Sequence, residues 1–532
     1  METAFDYVIV GGGSAGCVLA GRLSEDPAVS VCLLEAGGGG NSGFVNVPIG
    51  AVAMIPTRLN NWAFETVPQP GLGGRRGYQP RGRMLGGSSA INAMIYTRGH
   101  RSDYDRWAEL GNKGWSFAEV LPYFKLSEGN GRFGDEWHGR DGPLAVSDLR
   151  TGNPFHRRVV EAARQTGLPV NDDFNGARQE GIGIYQATQK NGERWSAARA
   201  YLFPHLGRRN LHVETRTRVA RVIVADGRAV GVETLKGGQR RTIRARREVV
   251  LSAGALQSPQ ILMLSGIGPL AELKRHGIAP VLDLAGVGRN LQDHPDFIFG
   301  YRSASLDTFG LSLRGGWRLL REALRYRRER RGMVTSNFAE AGGFLRTRPD
   351  LDAPDIQLHF VVSLVDDHAR RLRLGHGFSC HVCLLRPRSH GTLTLASADP
   401  LAAPLIDPAF LMDERDVDDM VAGFKLTRRL LEAPALAAWV KKDNVTADIR
   451  SDDDIRAVLR RRVDTVYHPV GTCRMGIDAG AVVDPQLKLR GIAGLRVVDA
   501  SVMPTLIGGN TNAPTIMIAE KAVDMMRGAS RV

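Results

Sequence analysis

Three glycines near the start of the chain, Gly11, Gly13 and Gly16, have the GxGxxG spacing of a turn that binds a dinucleotide. The first glycine of such a turn allows a tight bend, the second lets a pyrophosphate approach the backbone, and the third lets the next helix pack closely on the strand. Glu35 ends the following β-branched run, where a carboxylate can accept hydrogen bonds from ribose hydroxyls. The spacing predicts a bound dinucleotide and does not distinguish NAD from FAD.

Two blocks near the other end of the chain carry polar side chains that can act on a substrate. Residues 467–476 contain His468, and residues 509–515 contain Asn512. Imidazole is a general base near neutral pH, but a single histidine is more often structural. Asn512, taken alone, also fits a cap for a helix that opens near Pro514.

A fourth block, residues 81–92, combines arginines with glycines and serines. Such a loop allows close backbone contact with a planar or phosphorylated ligand. Composition alone fits a tight surface turn equally well.

The cysteines indicate neither a disulfide framework nor a metal site. There are five in 532 residues. Cys380 and Cys383 have the spacing of a metal or redox pair, but they lie in a strand-like run, where positions three apart point to opposite faces. No second CxxC follows to complete a tetrahedral site, so we expect ordinary core cysteines and no metal.

The glycine turn is expected inside a βαβ unit. β-branched runs at 7–10 and 29–34 predict two strands, and the spacing of apolar residues at 17–23 predicts the helix between them. Near the chain end, a short buried strand at 495–499 precedes a loop and a helix at 514–526.

The middle of the chain has a different pattern. Strand-like runs at 355–361, 378–385 and 391–395 are bounded by proline, aspartate and glycine, which predicts an antiparallel sheet. The whole pattern therefore predicts a dinucleotide-binding domain assembled from several segments, with a sheet domain inserted between them.

The length, composition and charge of the chain exclude some classes of protein. With 532 residues, 43% hydrophobic and 24% charged, the chain can form about three domains or two large interleaved ones, and disorder is excluded as its main state. No apolar run is long enough to cross a bilayer, and the start of the chain lacks a signal-peptide pattern, which predicts a cytoplasmic protein. The net charge of +14 suggests an anionic partner without choosing among nucleic acid, membrane surface and phosphorylated ligand.

Together with residues 249–259 and 288–294, the four blocks resemble the glucose–methanol–choline (GMC) oxidoreductases. The resemblance covers essentially the whole chain in family order. Residues 191–196 and 335–340 resemble in particular the bacterial FAD-dependent alcohol dehydrogenases of the choline-dehydrogenase-like branch, which includes enzymes for aliphatic alcohols and polyethylene glycol.

The resemblance implies an α/β fold in which a Rossmann-like FAD-binding domain is built from several chain segments. An inserted α+β substrate domain would contain the antiparallel sheet. We expect the FAD-binding domain to comprise residues 1–154, 195–300 and 463–532, the last with the catalytic residues, and the substrate domain to comprise residues 155–194 and 301–462.

The resemblance also implies the cofactor FAD, with its ADP half on the glycine turn and its flavin against the block at 81–92. The expected cofactor-binding residues are Gly11, Gly13, Ser14, Ala15, Gly16, Glu35, Ala36, Trp62, Arg83, Gly86, Gly87, Ser88, Asn92, Ala93, Met94, Ile95, Val219, Ala253, Gly254, Asp499, Ala500, Asn512, Pro514 and Thr515. One family member carries its flavin on a histidine directly before the asparagine that matches Asn92. Ile91 stands there in this chain, so we expect non-covalent FAD.

His468 and Asn512 match the family's catalytic pair. The resemblance implies that His468 takes the hydroxyl proton and Asn512 holds the alkoxide-like oxygen while the carbon hydrogen faces flavin N5. The expected substrate contacts are Val466, Tyr467, Asn337 and Glu340.

The expected activity is oxidation of a primary alcohol of medium size with an apolar body, with electrons passed to a quinone or dye. Choline is the second candidate, because Glu340 and Tyr467 can recognise a cation. The resemblance also leaves open an O₂-using alcohol oxidase and a cyanohydrin-cleaving lyase.

Residues 314–331 carry eight arginines. At helical spacing Trp317, Leu320 and Leu324 share a face, which fits peripheral contact with the inner face of the cytoplasmic membrane, where a lipid quinone is available. A solvated amphipathic helix explains the pattern equally well. No aromatic-interleaved platform accompanies the charge, so we expect no nucleic-acid partner.

Overall fold

The computed structural model describes residues 3–371 and 374–528. A first sheet of seven strands lies around the N-terminal segment. Its strand order is Leu211–Glu214, Val31–Leu34, Thr3–Val10, Gln239–Leu251, Arg228–Lys236 and Arg218–Ala225, with Leu495–Val497 paired to the end of Gln239–Leu251. The strands at one side are parallel and form near-continuous apolar runs, because both of their faces are buried.

Helices Ser14–Leu23 and Asn512–Arg527 pack with this sheet in one hydrophobic core. The first follows the glycine turn, as predicted. The second begins two residues earlier than expected, and Pro514 is its third residue. Helices Arg101–Glu109 and Phe117–Ser127 add Trp107 and Phe124 to the same core.

A second sheet of eight strands is antiparallel throughout. Its strand order is Lys442–Asp443, Pro295–Ser303, Gly375–Leu384, Ile356–Val361, Ala339–Leu345 and Gly181–Ile184, with Gly310–Leu311 paired to Gly375–Leu384 and Asp464–Thr465 paired to Pro295–Ser303. One face packs against helices Phe155–Gln165, Glu414–Leu431 and Asp452–Arg462. The opposite face carries a smaller cluster that includes Ala339 and Val361.

The predicted sheet in the middle of the chain is confirmed, with two differences. The run at 391–395 forms the strand Thr392–Thr394, which pairs with Leu405–Asp407 in a separate ribbon. The strand Pro295–Ser303 crosses the expected domain boundary at 300, and the boundaries themselves stay a prediction. Cys380 and Cys383 are buried in clusters on opposite faces of the sheet.

The remaining regular elements are short. The short helices are Gly43–Asn46, Ala51–Met54, Ser258–Leu264, Leu270–Arg275 and Pro434–Ala437. A longer helix, Leu313–Glu329, lies on the surface. The paired short strands are Phe64–Glu65 with Tyr78–Gln79, Glu128–Asn130 with Leu144–Val146, Gln189–Lys190 with Glu193–Arg194, and Ile267–Gly268 with Leu282–Asp283. Within the described ranges, every helix is too short or too polar to span a bilayer.

Candidate active site

A cavity of about 410 Å³ lies between the two sheets. On one side it meets the carboxyl ends of the parallel strands, where ligands of open α/β sheets bind. On the other side it meets the second sheet through Ala339, His359 and Val361. The two sheets therefore enclose one elongated site.

Most of the predicted cofactor residues line this cavity. They are Gly11, Gly13, Ser14, Ala15, Glu35, Ala36, Trp62, Gly87, Ser88, Asn92, Ala93, Met94, Ile95, Val219, Ala253, Gly254, Asp499, Ala500, Asn512 and Thr515. Gly16, Arg83, Gly86 and Pro514 do not line it.

The glycine turn has the geometry that a dinucleotide requires. A Cβ on Gly16 would lie 1.9 Å from the Gly11 carbonyl oxygen, so Gly16 lets the helix start directly on the turn. A Cβ on Gly13 would come no closer than 3.8 Å to another protein atom, so the space above Gly13 is open. Glu35 Oε1 and Oε2 accept from the amides of Gly37 and Gly12, which holds the carboxylate at the cavity wall. FAD therefore fits the residues present.

The block at 81–92 lies against this turn. The Gly86 amide donates to the Gly12 carbonyl at 2.7 Å, and a Cβ on Gly87, whose φ is +50°, would lie 2.7 Å from Gly13 Cα. The buried Arg194 guanidinium donates to Asn92 Oδ1 at 2.8 Å and fixes its orientation at the wall. The two blocks thus form one continuous surface.

Trp62 and Val219 lie at one end of the cavity. The guanidinium of Arg218, the neighbour of Val219, is 4.9 Å from the Trp62 ring centroid, and that of Arg83 is 4.6 Å away. Arg83 therefore contacts Trp62, which lines the cavity, and is not itself part of the cavity wall. This cationic, aromatic end suits a planar base.

His468 lies at the opposite end in a chain of hydrogen bonds. The ring Nε2 of His294 is 3.1 Å from the Leu385 carbonyl oxygen, which can only accept. His294 Nε2 therefore carries the proton, and its Nδ1 accepts from His468 Nδ1 at 2.9 Å. This leaves a lone pair on His468 Nε2, which faces Asn510 Nδ2 at 3.2 Å.

Burial sets the charge of this pair. It lowers the pKa of His468 well below its ordinary value, and nearby His294, His359 and Arg81 add to the effect. It also lowers the pKa of His294 to about 3. Both rings are neutral at physiological pH, so His468 Nε2 carries a lone pair that can take a proton.

Asn512, the predicted catalytic partner of His468, lines the cavity but makes its hydrogen bond elsewhere, and its catalytic role stays a prediction. Asn512 Oδ1 accepts from Ser14 Oγ at 2.7 Å, on the glycine turn. Asn510, which sequence reasoning passed over, is the asparagine at His468. Asn510 precedes the helix, whereas Asn512 is its first residue, so the two side chains diverge. The GGNTNAP block contains both asparagines, and local spacing cannot choose between them.

Three of the four predicted substrate residues, Asn337, Val466 and Tyr467, line the cavity near His468. Glu340 does not. Its neighbour Ala339 lines the cavity, but the pairing with Ile356–Val361 is irregular between Ala339 and Ala341, so Glu340 points elsewhere. The Glu340 carboxylate instead accepts from Ser336 Oγ at 2.6 Å and Thr151 Oγ1 at 3.1 Å, and it lies 3.1 Å from His156 Nδ1.

Three further histidines, His359, His368 and His381, line the cavity and were not predicted from the sequence. His368 Nδ1 lies 2.7 Å from the Tyr467 hydroxyl oxygen. Neither ring nitrogen of His359 has a hydrogen-bond partner among the described residues, and burial lowers its pKa to about 3. His381 is tied through Nδ1 to Asp296 Oδ2 at 2.6 Å. His359 lies in the strand Ile356–Val361 and His381 in the strand Gly375–Leu384. The sequence pattern predicted these strands but did not indicate that the two histidines face a cavity.

Comparison with known proteins places this geometry in context. Two models of the GMC oxidoreductase family match residues 5–296 and 387–519. An alcohol dehydrogenase [acceptor] of Pseudomonas putida is 47% identical over 98% of this chain and 95% of its own length, and human mitochondrial choline dehydrogenase is 45% identical over 98% and 90%. A formate oxidase of Aspergillus oryzae RIB40, solved in connection with FAD modification, has a TM-score of 0.92 and 30% identity over 99% of this chain and 98% of its own.

Proposed function

The chain belongs to the GMC oxidoreductase family and binds FAD, and on that premise we propose that it oxidises an uncharged primary alcohol with an apolar body to the aldehyde. The observation that carries the choice of substrate is the chemistry of the cavity wall around His468. The apolar lining there consists of Phe338, Ala339, Val361, Leu364, Val365 and Val466. An alkyl chain of moderate length suits such a wall.

Carboxylates in the wall are confined to the cofactor side. Among the described lining residues, Glu35 and Asp499 are the acids, and both hold backbone amides near the cofactor region. Asp296 and Glu340 lie behind the wall and are already engaged by histidines. A quaternary ammonium buried here would lack a carboxylate partner, which disfavours choline. Tyr467 and Phe338 offer it aromatic surface only.

The proton step follows from the hydrogen-bond chain at His468. An alcohol held against His468 Nε2 gives its hydroxyl proton to that atom, and the resulting imidazolium keeps its Nδ1 proton directed at His294. His294 is a positioning residue, because its own proton is committed to the Leu385 carbonyl. When bound, FAD supplies the acceptor for the hydride that leaves the alcohol carbon.

Asn510 supplies a donor to the same oxygen. Its Oδ1 accepts from Thr97 Oγ1 at 3.1 Å and from Gln357 Nε2 at 3.0 Å. These two bonds turn Nδ2 toward His468, so one Asn510 N–H can stabilise the negative charge that develops on the substrate oxygen. We therefore assign to Asn510 the role that the sequence predicted for Asn512.

The electron acceptor proposed is a quinone, with a dye as laboratory substitute. The Pseudomonas putida relative is named for an unspecified acceptor, which supports a dehydrogenase over an oxidase. FAD is proposed to be dissociable, since the buried Ile91 at the cavity wall offers no nucleophile for a covalent bond.

The test is an anaerobic visible spectrum of the FAD-loaded enzyme before and after a 1-alkanol or choline is added. We expect the 1-alkanol to bleach the flavin and choline to leave it oxidised. Bleaching by choline alone would contradict the proposed substrate, and bleaching by neither would contradict alcohol oxidation. The Glu340→Gln variant is the matched control, because a carboxylate outside the wall should leave the 1-alkanol rate within about threefold.

A further inference from the structure

The surface helix Leu313–Glu329 exposes an apolar stripe that nothing in the described chain covers. The stripe comprises Leu313, Trp317, Leu320 and Leu324, whose exposed fractions are 90%, 70%, 53% and 54%. Spacings of three and four residues put these side chains on one face. Tyr326, the buried residue of the helix, faces the protein. Four large apolar side chains in one row are more than the scattered exposure usual on a surface.

Arginines border the stripe on both sides. At 100° per residue, Arg321 and Arg328 fall on one side and Arg327 on the other. None of these three has an ion-pair partner within residues 3–371 and 374–528, whereas Arg318 pairs with Asp307. The rim therefore presents unneutralised positive charge beside apolar side chains.

We propose that this helix docks the protein on an anionic lipid bilayer. Apolar side chains with a tryptophan among them, flanked by arginines, match an interface of acyl chains beneath anionic headgroups. The net charge of +14 adds a long-range attraction to such a surface. A second copy of the chain is a poorer occupant, because it would bring the same arginines against each other.

The segment that leads into the helix contacts the substrate end of the cavity. The strand Gly310–Leu311 leads into the helix, and Leu311 bridges to the exposed Leu374. Phe309, just before it, packs its ring 4.7 Å from that of Phe338, which lines the cavity. Docking would hold this wall at the lipid surface, where apolar alcohols and lipid quinones concentrate. This consequence rests on the proposed function, whereas the docking itself does not.

The experiment is co-sedimentation of the FAD-loaded protein with vesicles of phosphatidylcholine alone or mixed with phosphatidylglycerol. We expect binding to the mixed vesicles that weakens as salt is added. The R321Q/R327Q/R328Q variant should bind about a hundredfold more weakly, from roughly a tenfold effect or less per charge. Leu320→Glu should abolish binding, and Leu401→Ser, at an exposed leucine outside the stripe, should leave it unchanged.

Absence of wild-type binding to anionic vesicles would overturn the proposal, and so would equal binding by Leu320→Glu. A wild-type dimer that Leu320→Glu converts to a monomer, without vesicle binding, would assign the stripe to a second copy instead. Retained flavin content shows that each variant is folded. Vesicle binding is measured without turnover, so its failure is distinct from a failure to oxidise alcohols. With quinone in the vesicles, Leu320→Glu should lose quinone reduction and keep dye reduction.

Discussion

At the scale of single residues, the asparagine beside His468 is decided by contacts from distant segments. Thr97 and Gln357 hold the Asn510 amide in one orientation, because both donate to its Oδ1. Asn512 is turned by the start of its helix toward Ser14. The sequence predicts that an asparagine of this block matters, but the choice between positions 510 and 512 depends on tertiary contacts that local spacing does not contain.

This assignment predicts different defects for the two asparagines. Asn510→Ala removes a donor to the substrate oxygen and should slow anaerobic flavin reduction by about 10²-fold with FAD retained. Asn512→Ala removes a bond to the glycine turn and should weaken FAD binding about fivefold, from roughly 1 kcal/mol. Its flavin reduction at saturating FAD should stay within about threefold of wild type. Stopped-flow absorbance and FAD titration separate the two effects, and the reverse pattern would restore Asn512 as the partner of His468.

At the scale of elements, the turn between Thr3–Val10 and Ser14–Leu23 was predictable because its glycines have separate physical reasons. Gly16 lies where any side chain would strike the Gly11 carbonyl. Gly13 borders open space that belongs to the ligand. Gly16 is thus needed for the fold, and Gly13 is needed for ligand binding.

Alanine substitutions distinguish these roles. Gly16→Ala should lower the free energy of unfolding of the apoprotein by about 1–3 kcal/mol or more, because the backbone must shift. Gly13→Ala brings its Cβ no closer than 3.8 Å to another protein atom and should leave the apoprotein melting temperature unchanged, while FAD affinity falls by about tenfold or more as the methyl fills the ligand's space. Calorimetry of the apoproteins with FAD titration measures both. An equal loss of apoprotein stability in the two variants would contradict the assignment.

At the scale of the whole molecule, the cavity is an assembly of segments that are far apart in the chain. The glycine turn comes from the first segment, His359 from the second sheet and His468 from the last segment. The sequence predicts the glycine turn and the block with His468, because their spacing is local, but it does not predict that His359 lines the cavity. It does not predict that Glu340 faces away from the cavity, since that depends on the irregular pairing between Ala339 and Ala341.

The same assembly determines the pH behaviour. Burial between the two sheets lowers the pKa of His468 well below its ordinary value, so the neutral form that accepts a proton persists to acidic pH. The Leu385–His294 chain keeps the lone pair on Nε2 in that form. Activity limited by this step should therefore fall only well below about pH 6.5.

The most direct test of the account is the pH dependence of anaerobic flavin reduction by a 1-alkanol, in wild type and in His468→Ala. We predict a wild-type rate that is level from neutral pH down to below about pH 6.5, and a rate in His468→Ala lower by about 10²- to 10⁴-fold with the FAD spectrum intact. A wild-type rate that rises through an apparent pKa at or above about 6.5 would contradict the buried neutral base. A variant rate close to wild type would remove His468 from the chemistry.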